Sequence, residues 1–265
     1  HVLYSGLAKS ETWQEVKAAV ESAEGLDNSV RKILLEGTID NLVQNGGSTH
    51  HCGMVDAQSG EVAHEGLPEN ESAYNIVRRY KIEKPELSSF IRHSVYDYSK
   101  FRNLDKNVVP LECIVRFGIT SGSSVYRKYL KLPDAQKRNF ERELGSDGEL
   151  QAWKYLATPI VDFTSKYEPE DRAVTKQEAL NMSGLDAGAF NEMGKLAVLG
   201  GWAVRVLVEK MGLQLWDLKW EFARDGEDLV FVDTIDTDSF RATSILNDGD
   251  DRFVIHYNKQ AMRDY

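Results

Sequence analysis

The sequence predicts an α+β fold built on antiparallel sheet, with helices flanking it. Three observations carry this expectation. The apolar runs come as mixed strands, then one long helix, then a hairpin, and not as regular strand–helix alternation. The strongest helical pattern opens after Asp186, a good N-cap, and runs to Met211, with Gly212 as its stop. The run Leu213 to Phe222 alternates in character. After a turn at Arg224 to Asp228 comes a second apolar run, Leu229 to Val232, as expected for a β-hairpin.

Along the chain, Thr12 to Ser22 has helical spacing through Trp13, Val16 and Val20, and Ile33 to Leu35 suits a strand. Residues 46–68 are rich in Gly, Ser, His and Glu and read as a long loop or loose hairpin. Ser72 to Tyr80 reads as helix, Val108 to Arg116 as strand, Phe140 to Lys154 as short helices and Pro159 to Phe163 as strand. The long helix presents Phe190, Met193, Ala197, Val204, Leu207 and Met211 as its apolar stripe. Gly200 and Gly201 inside it cost about 1 kcal/mol each against Ala, which implies a close packing contact or a bend. Residues from 1 to about 100 are polar and mixed and residues from about 108 to 265 more regular, and the length suits one large domain or two small lobes.

Bulk properties narrow the function. The chain has 265 residues and a formal net charge of −10. That balance argues against nonspecific nucleic-acid binding, which needs a basic footprint. An anionic small substrate remains compatible where local Arg and Lys offset the global field. No run approaches the roughly 20 apolar residues of a membrane span, and no leader pattern is visible at the N-terminus. Two cysteines, Cys52 and Cys113, are too few for a disulfide scaffold. The expected setting is therefore the cytoplasm, without membrane attachment; a homo-oligomer stays open.

Chemistry concentrates near the C-terminus. On a strand, Asp217, Lys219 and Glu221 project together, while Trp216, Leu218, Trp220 and Phe222 take the other face. The return arm delivers Asp233. Two nearby carboxylates repel unless a cation neutralises them, and Mg²⁺ suits one or two carboxylates plus phosphate oxygens. Asp233 to Arg241 adds Asp236, Asp238 and a cation, which together resemble the floor of an ATP–Mg²⁺ site. The competing reading is a solvated outer sheet face followed by an acidic loop. Arg116 before the small-residue loop Gly118 to Ser124 could cradle an anion, or could be a surface arginine beside a flexible turn. Tyr4 to Lys9 is a glycine turn that fits neither the Walker pattern nor Gly-x-Gly-x-x-Gly. His50, His51 and Cys52 have metal-ligand types, but adjacent residues seldom reach one ion, and no triad can be assembled from the remaining histidines.

Taken in order, these motifs resemble the SAICAR synthetase family over most of the chain. Leu3-Tyr-Ser-Gly-Leu-Ala-Lys9 is similar to its Leu-Tyr-x-Gly-Lys-Ala-Lys loop, and Val109-Pro-Leu-Glu-Cys-Ile-Val-Arg116 to its Val-Pro-x-Glu-x-Val-Val-Arg strand. Gly122-Ser123 follows where the family has Ala-Gly-Ser. Pro159 to Lys166 resembles the strand before its acidic loop, with Asp171 as the acidic residue. Gly212 to Phe222 is close to Gly-Ile-x-Leu-Val-Asp-Phe-Lys-Leu-Glu-Phe, and Asp233 to Arg241 to Asp-Glu-x-x-x-Asp-x-x-Arg. The chain departs from the family at Leu7 and Thr38, where lysines are expected, and at Thr234, where an acidic residue is expected.

The resemblance implies a two-lobed, ATP-grasp/kinase-like fold whose smaller lobe, residues 1–107, grips ATP. The larger lobe, residues 108–265, would hold the nucleotide substrate and Mg²⁺. It also implies an ATP-dependent ligase that joins carboxyaminoimidazole ribonucleotide to L-aspartate. Gly6, Ala8 and Lys9 would contact ATP, and Glu221 and Asp233 would hold Mg²⁺. Lys219 and Asp217 would act at the reacting centre. Arg116, Ser123, Asp171, Asp238 and Arg241 would bind the substrate. Two alternatives stay open: a small-molecule kinase of the same fold, and a nucleotide-binding module with reduced catalysis, suggested by Leu7 and Thr38.

Overall fold

The computed structural model describes residues 48–257, apart from 65–66, 71, 73, 91–92, 147 and 249–250. The expected helix at 12–22, the strand at 33–35, positions Leu7 and Thr38, and the turn carrying Gly6, Ala8 and Lys9 lie outside the described residues.

A short antiparallel sheet comes first: β1 (His51–Val55) pairs with β2 (Val62–Ala63) and with β3 (Asn75–Val77). The loose hairpin expected at 46–68 is thus present. Asp56 pins its turn by accepting from the amides of Gln58 and Ser59, both at 2.9 Å. The helix expected at 72–80 is instead strand and extended chain. Ile76 and Val77 are β-branched, which favours extension, and Met54 pairs with Asn75 across the sheet. A separate hairpin follows, β4 (Glu86–Phe90) with β5 (His93–Asp97).

Strands β6 (Asn107–Val108) and β7 (Leu111–Ile119) flank Pro110. Helices α1 (Ser124–Lys131) and α2 (Asp134–Glu143) come next. The sequence placed helix later, at 140–154; the observed pair begins earlier because Ser123 caps α1 and Pro133 opens α2. β8 (Lys154–Ser165) is longer than the expected strand and contains Pro159. A register shift against β7 between Arg116 and Gly118 accommodates that proline, which cannot donate to a ladder. β9 (Ala173–Val174), α3 (Lys176–Ser183) and α4 (Ala187–Lys210) complete the central region. β10 (Gln214–Asp225), β11 (Asp228–Val232), β12 (Phe240–Asp248) and β13 (Asp251–His256) end the described chain.

Among the described residues the main sheet has the order β13-β12-β10-β7-β8-β9, with β11 and β6 also paired to β10. β10 is therefore central. Its first half lies between β12 and β7, and its second half between β11 and β6. α4 covers one face. Asp186 Oδ1 caps it by accepting from the Ala189 amide at 2.8 Å. Leu196 to Val204 are all buried, so the helix is enclosed on most sides and not merely along one stripe. Met211, expected on the stripe, is exposed beyond the helix end. Gly200 and Gly201 mark a close contact: an added Cβ would lie 2.9 Å from Trp220 at Gly200 and 3.2 Å from Phe117 at Gly201.

Candidate active site

The other face of the main sheet carries the charges. β10 supplies Asp217, Lys219 and Glu221 on alternate positions, as the sequence requires. Leu218, Trp220 and Phe222 join the core against α4. A bulge between Leu215 and Asp217 changes the expected position of Trp216. Leu215 takes the core place, while the Trp216 ring lies against Trp153 and Tyr155 and donates to Thr243 Oγ1 at 2.7 Å.

Register brings neighbours to the same face. Asp217 pairs with Arg116 of β7, and Glu112 of β7 pairs with Thr164 of β8. The Lys219 ammonium donates to Glu112 Oε1 at 2.6 Å and lies 3.7 Å from Glu221 Oε1. Thr164 donates to the second Glu112 oxygen at 2.9 Å. The Lys166 ammonium, at the end of β8, donates to Glu221 Oε1. Two guanidiniums close the other end. Arg241 donates to Asp217 Oδ1 at 2.9 Å and to Thr120 Oγ1 at 2.9 Å. Arg116, fully buried, donates to Asp162 at 2.6 Å and approaches Asp217 Oδ2 at 3.4 Å. Asp217 is thus the shared counter-ion of both arginines.

The remaining expected residues fall around this network. Asp233 follows β11 directly, at φ +68°, in the left-handed region that Asp tolerates better than most residues. Burial, opposed by Lys166 and reinforced by Asp233, raises the Glu221 carboxyl above its ordinary value. Partial desolvation, then the charge of Glu112, raises the Asp171 carboxyl at the exposed rim against the opposing charges of Lys219 and Lys166. For Lys219, burial acts downward, but the Glu112 hydrogen bond and the charges of Glu112, Glu221 and Asp233 outweigh it and hold the ammonium above its usual range. Ser123 is buried as the α1 N-cap, its hydroxyl accepting from the Val125 amide at 3.2 Å. Asp238 lies exposed in the Asp236–Ser239 turn. That turn is tied to the site through the Lys219 amide, which donates to the Ser239 carbonyl at 2.8 Å.

Glu112, Asp162, Asp171, Asp217, Glu221 and Asp233 thus gather around Arg116, Lys166, Lys219 and Arg241, so carboxylates outnumber cations. Glu221 and Asp233 could hold a divalent cation. Their donors are oxygen, the charge of Asp233 disfavours ionisation of Glu221, which a bound cation would relieve, and a Mg²⁺ ion would take its further ligands from phosphate and water. Among the described residues no group of three or more His, Cys, Asp or Glu forms a protein-only metal cage, and His50, His51 and Cys52 form none. An apolar cavity of about 380 Å³ lies by α4, lined by Val204, Leu207, Trp220 and Phe231, and shares only its Val232–Ile235 rim with the charged face.

Glu112, Asp162, Thr164 and Lys166 were not singled out from sequence. Their signal was available in strand alternation: Glu112 and Arg116 share one face of β7, and Asp162, Thr164 and Lys166 follow period two along and just beyond β8. Using it requires knowing that β7 and β8 lie beside β10, which the sequence does not state.

Comparison with known proteins agrees with this geometry. A family profile described as SAICAR synthetase matches residues 69–265, about three quarters of the chain. A curated protein of Archaeoglobus fulgidus, provisionally named phosphoribosylaminoimidazole-succinocarboxamide synthase, is 32% identical over 75% of this chain and 56% of its own length. The Streptomyces coelicolor phosphoribosylaminoimidazole-succinocarboxamide synthase is 31% identical over 60% of this chain and 50% of its own. This chain therefore spans about half the length of the curated relatives it matches. The SAICAR-synthase from Saccharomyces cerevisiae complexed with SAICAR has the same fold, with a TM-score of 0.51 and 21% identity over 90% of this chain and 72% of that one. No helix among the described residues is long and apolar enough to cross a membrane.

Proposed function

The chain belongs to the SAICAR synthetase family, and we propose that it is an ATP-dependent amide-forming ligase acting on carboxyaminoimidazole ribonucleotide and L-aspartate. The products are SAICAR, ADP and phosphate, formed in a cytoplasmic setting. The observation that carries this reading is the single sheet face shared by Asp217, Lys219, Glu221, Glu112 and Arg116. One end of it is anionic and the other holds two arginines, as a reaction between ATP and an anionic substrate requires.

In this reading the γ-phosphoryl group passes to the substrate carboxylate, and the P–O bond to ADP breaks. The aspartate amine then attacks the activated carbonyl, and phosphate leaves as the amide forms. Glu221 and Asp233 would hold Mg²⁺, which supplies charge neutralisation to the ATP phosphates. Lys219, kept as an ammonium by Glu112, offsets charge developing at the transferring group. Arg241, the more exposed guanidinium, and Arg116 face the phosphate or carboxylate of the substrate, beside the capped α1 N-terminus that starts at Ser123. Asp217 sets the spacing of these two arginines, and Asp171 meets the ribose or ring at the rim. Gly6, Ala8 and Lys9 belong to the ATP grip of the 1–107 lobe.

The test is ADP release by purified protein with Mg²⁺-ATP, carboxyaminoimidazole ribonucleotide and aspartate, omitting each in turn. Release that needs all three, with a succinocarboxamide product, supports the reaction. ADP release indifferent to aspartate, or none at all, overturns it in favour of another carboxylate and amine pair.

A further inference from the structure

Tyr167 has three features that the ion-pair network does not explain. Its backbone sits at φ +73°, uncommon for a bulky side chain. Its hydroxyl oxygen is buried without a hydrogen-bond partner. Its ring packs on the apolar patch of Tyr80, Val108, Ala223, Val230 and Val232. A strained backbone and an orphaned buried donor both raise the energy of this resting position. A side chain kept only for packing needs neither.

The patch has a specific place. Glu221 pairs with Val232 and Ala223 with Val230, so the patch continues the charged face of β10 directly beyond the carboxylate pair. The cavity by α4 lies on the core side, with Trp220 and Phe231, so along the charged face a nucleotide whose phosphates lie at Glu221 and Asp233 has two directions for its base. Toward Arg116 and Arg241 the face is charged. Toward Val108 and Ala223 it is apolar and suits a flat heterocycle. The Tyr167 ring occupies that second direction. Burial, then the charges of Glu221, Asp233 and Glu112, push its phenol upward, so it remains a protonated donor. The Lys166 ammonium lies 5.5 Å from the ring centroid while paired with Glu221.

We propose that Tyr167 is a built-in competitor for the nucleotide base: its ring rests in the base slot and must leave before the base enters. This rests on the nucleotide reading above and adds to it a residue that sets affinity. Departure of the ring relieves the strained backbone, releases the orphaned hydroxyl to solvent and loosens the hold on Lys166.

The experiment is calorimetric titration of the full chain with Mg²⁺-ADP, comparing wild type, Tyr167→Gly and Tyr167→Phe. Removing the ring should tighten binding about tenfold, because the competent fraction rises toward one. Tyr167→Phe keeps the ring and removes the orphaned hydroxyl, so the resting position gains and binding weakens about threefold. Equal affinity in all three, or weaker binding by Tyr167→Gly, overturns the competitor while leaving the nucleotide site standing. Failure of all three cooperatively folded proteins to bind Mg²⁺-ADP overturns both. Should Tyr167→Gly not fold, hydrogen exchange of wild type decides: peptides spanning Tyr167 should exchange faster with saturating Mg²⁺-ADP, and unchanged or slower exchange overturns the proposal.

Discussion

Asp217→Asn tests the charged face most directly. The Asp217 side chain is 7% exposed and accepts from Arg241 at 2.9 Å and Arg116 at 3.4 Å. The Arg241 contact is a short charge-assisted bond, of a kind that contributes roughly 1.5–3 kcal/mol. The Arg116 contact is long, and Arg116 keeps Asp162 at 2.6 Å, so its loss adds little. Asparagine keeps the shape and one acceptor but not the charge. Arg241 is partly exposed, and solvent screens part of the cost. The net expectation is about 2 kcal/mol lost in urea unfolding, or about 4–8 °C in melting temperature for a chain of this size. The variant also leaves the arginines under-compensated. Millimolar inorganic phosphate should therefore raise the melting temperature of Asp217→Asn more than that of wild type. A loss below about 0.5 kcal/mol, with an unchanged response to phosphate, would refute the assignment of Asp217 as shared counter-ion.

Four further expectations concern β10, β11 and α4. Glu221→Gln and Asp233→Asn should each abolish Mg²⁺-dependent turnover with little change in far-ultraviolet circular dichroism; near-normal rates in both would remove the metal assignment. Because the folded-state Glu221 pKa lies above its unfolded value, the bound proton stabilises the fold below the ordinary glutamate value and that contribution is lost as pH rises through the raised one. Metal binding runs oppositely: Mg²⁺ affinity at fixed ADP should fall as pH drops through the raised value, at a higher pH than for an ordinary glutamate, and Glu221→Gln should flatten the dependence. Lys219→Ala should lower kcat and raise the KM for the carboxylate substrate together, since its charge acts on a group present in both states; a change in KM alone would confine it to binding. In α4, Gly194→Ala meets open space and should stabilise by about 1 kcal/mol through helix propensity. Gly200→Ala places a Cβ 2.9 Å from Trp220 and should instead cost about 1–2 kcal/mol by overpacking. Chemical denaturation of the pair decides between a packing contact and a mere flexible point.

Local patterns were legible wherever one periodicity dominated. The α4 boundaries follow from the Asp186 cap and Gly212 at φ +77°. The β10–β11 hairpin follows from alternation and from Gly226 at φ +65° in its turn. The grouping of Asp217, Lys219 and Glu221 on one face needs only the two-residue period of a strand. The misreadings have the opposite character. Residues 72–80 lack a decisive period, and pairing with β1 chose strand over helix. Trp216 is buried as expected, but a bulge, which alternation cannot foresee, set Leu215 against α4 and turned the Trp216 ring toward Trp153 and Tyr155.

Which charges meet was decided by folding alone. Glu112 and Lys219 stand 107 positions apart in sequence, and Arg116 and Asp217 stand 101 apart. Strand period says which way each side chain points, but the partner across the ladder depends on strand order and register, which are set by burying α4 against one face of the whole sheet. The residue types needed for phosphoryl chemistry could therefore be read along the chain. Their counter-ions, the raised Glu221 carboxyl and the resting place of Tyr167 exist only once β6, β7, β8, β10 and β11 lie side by side.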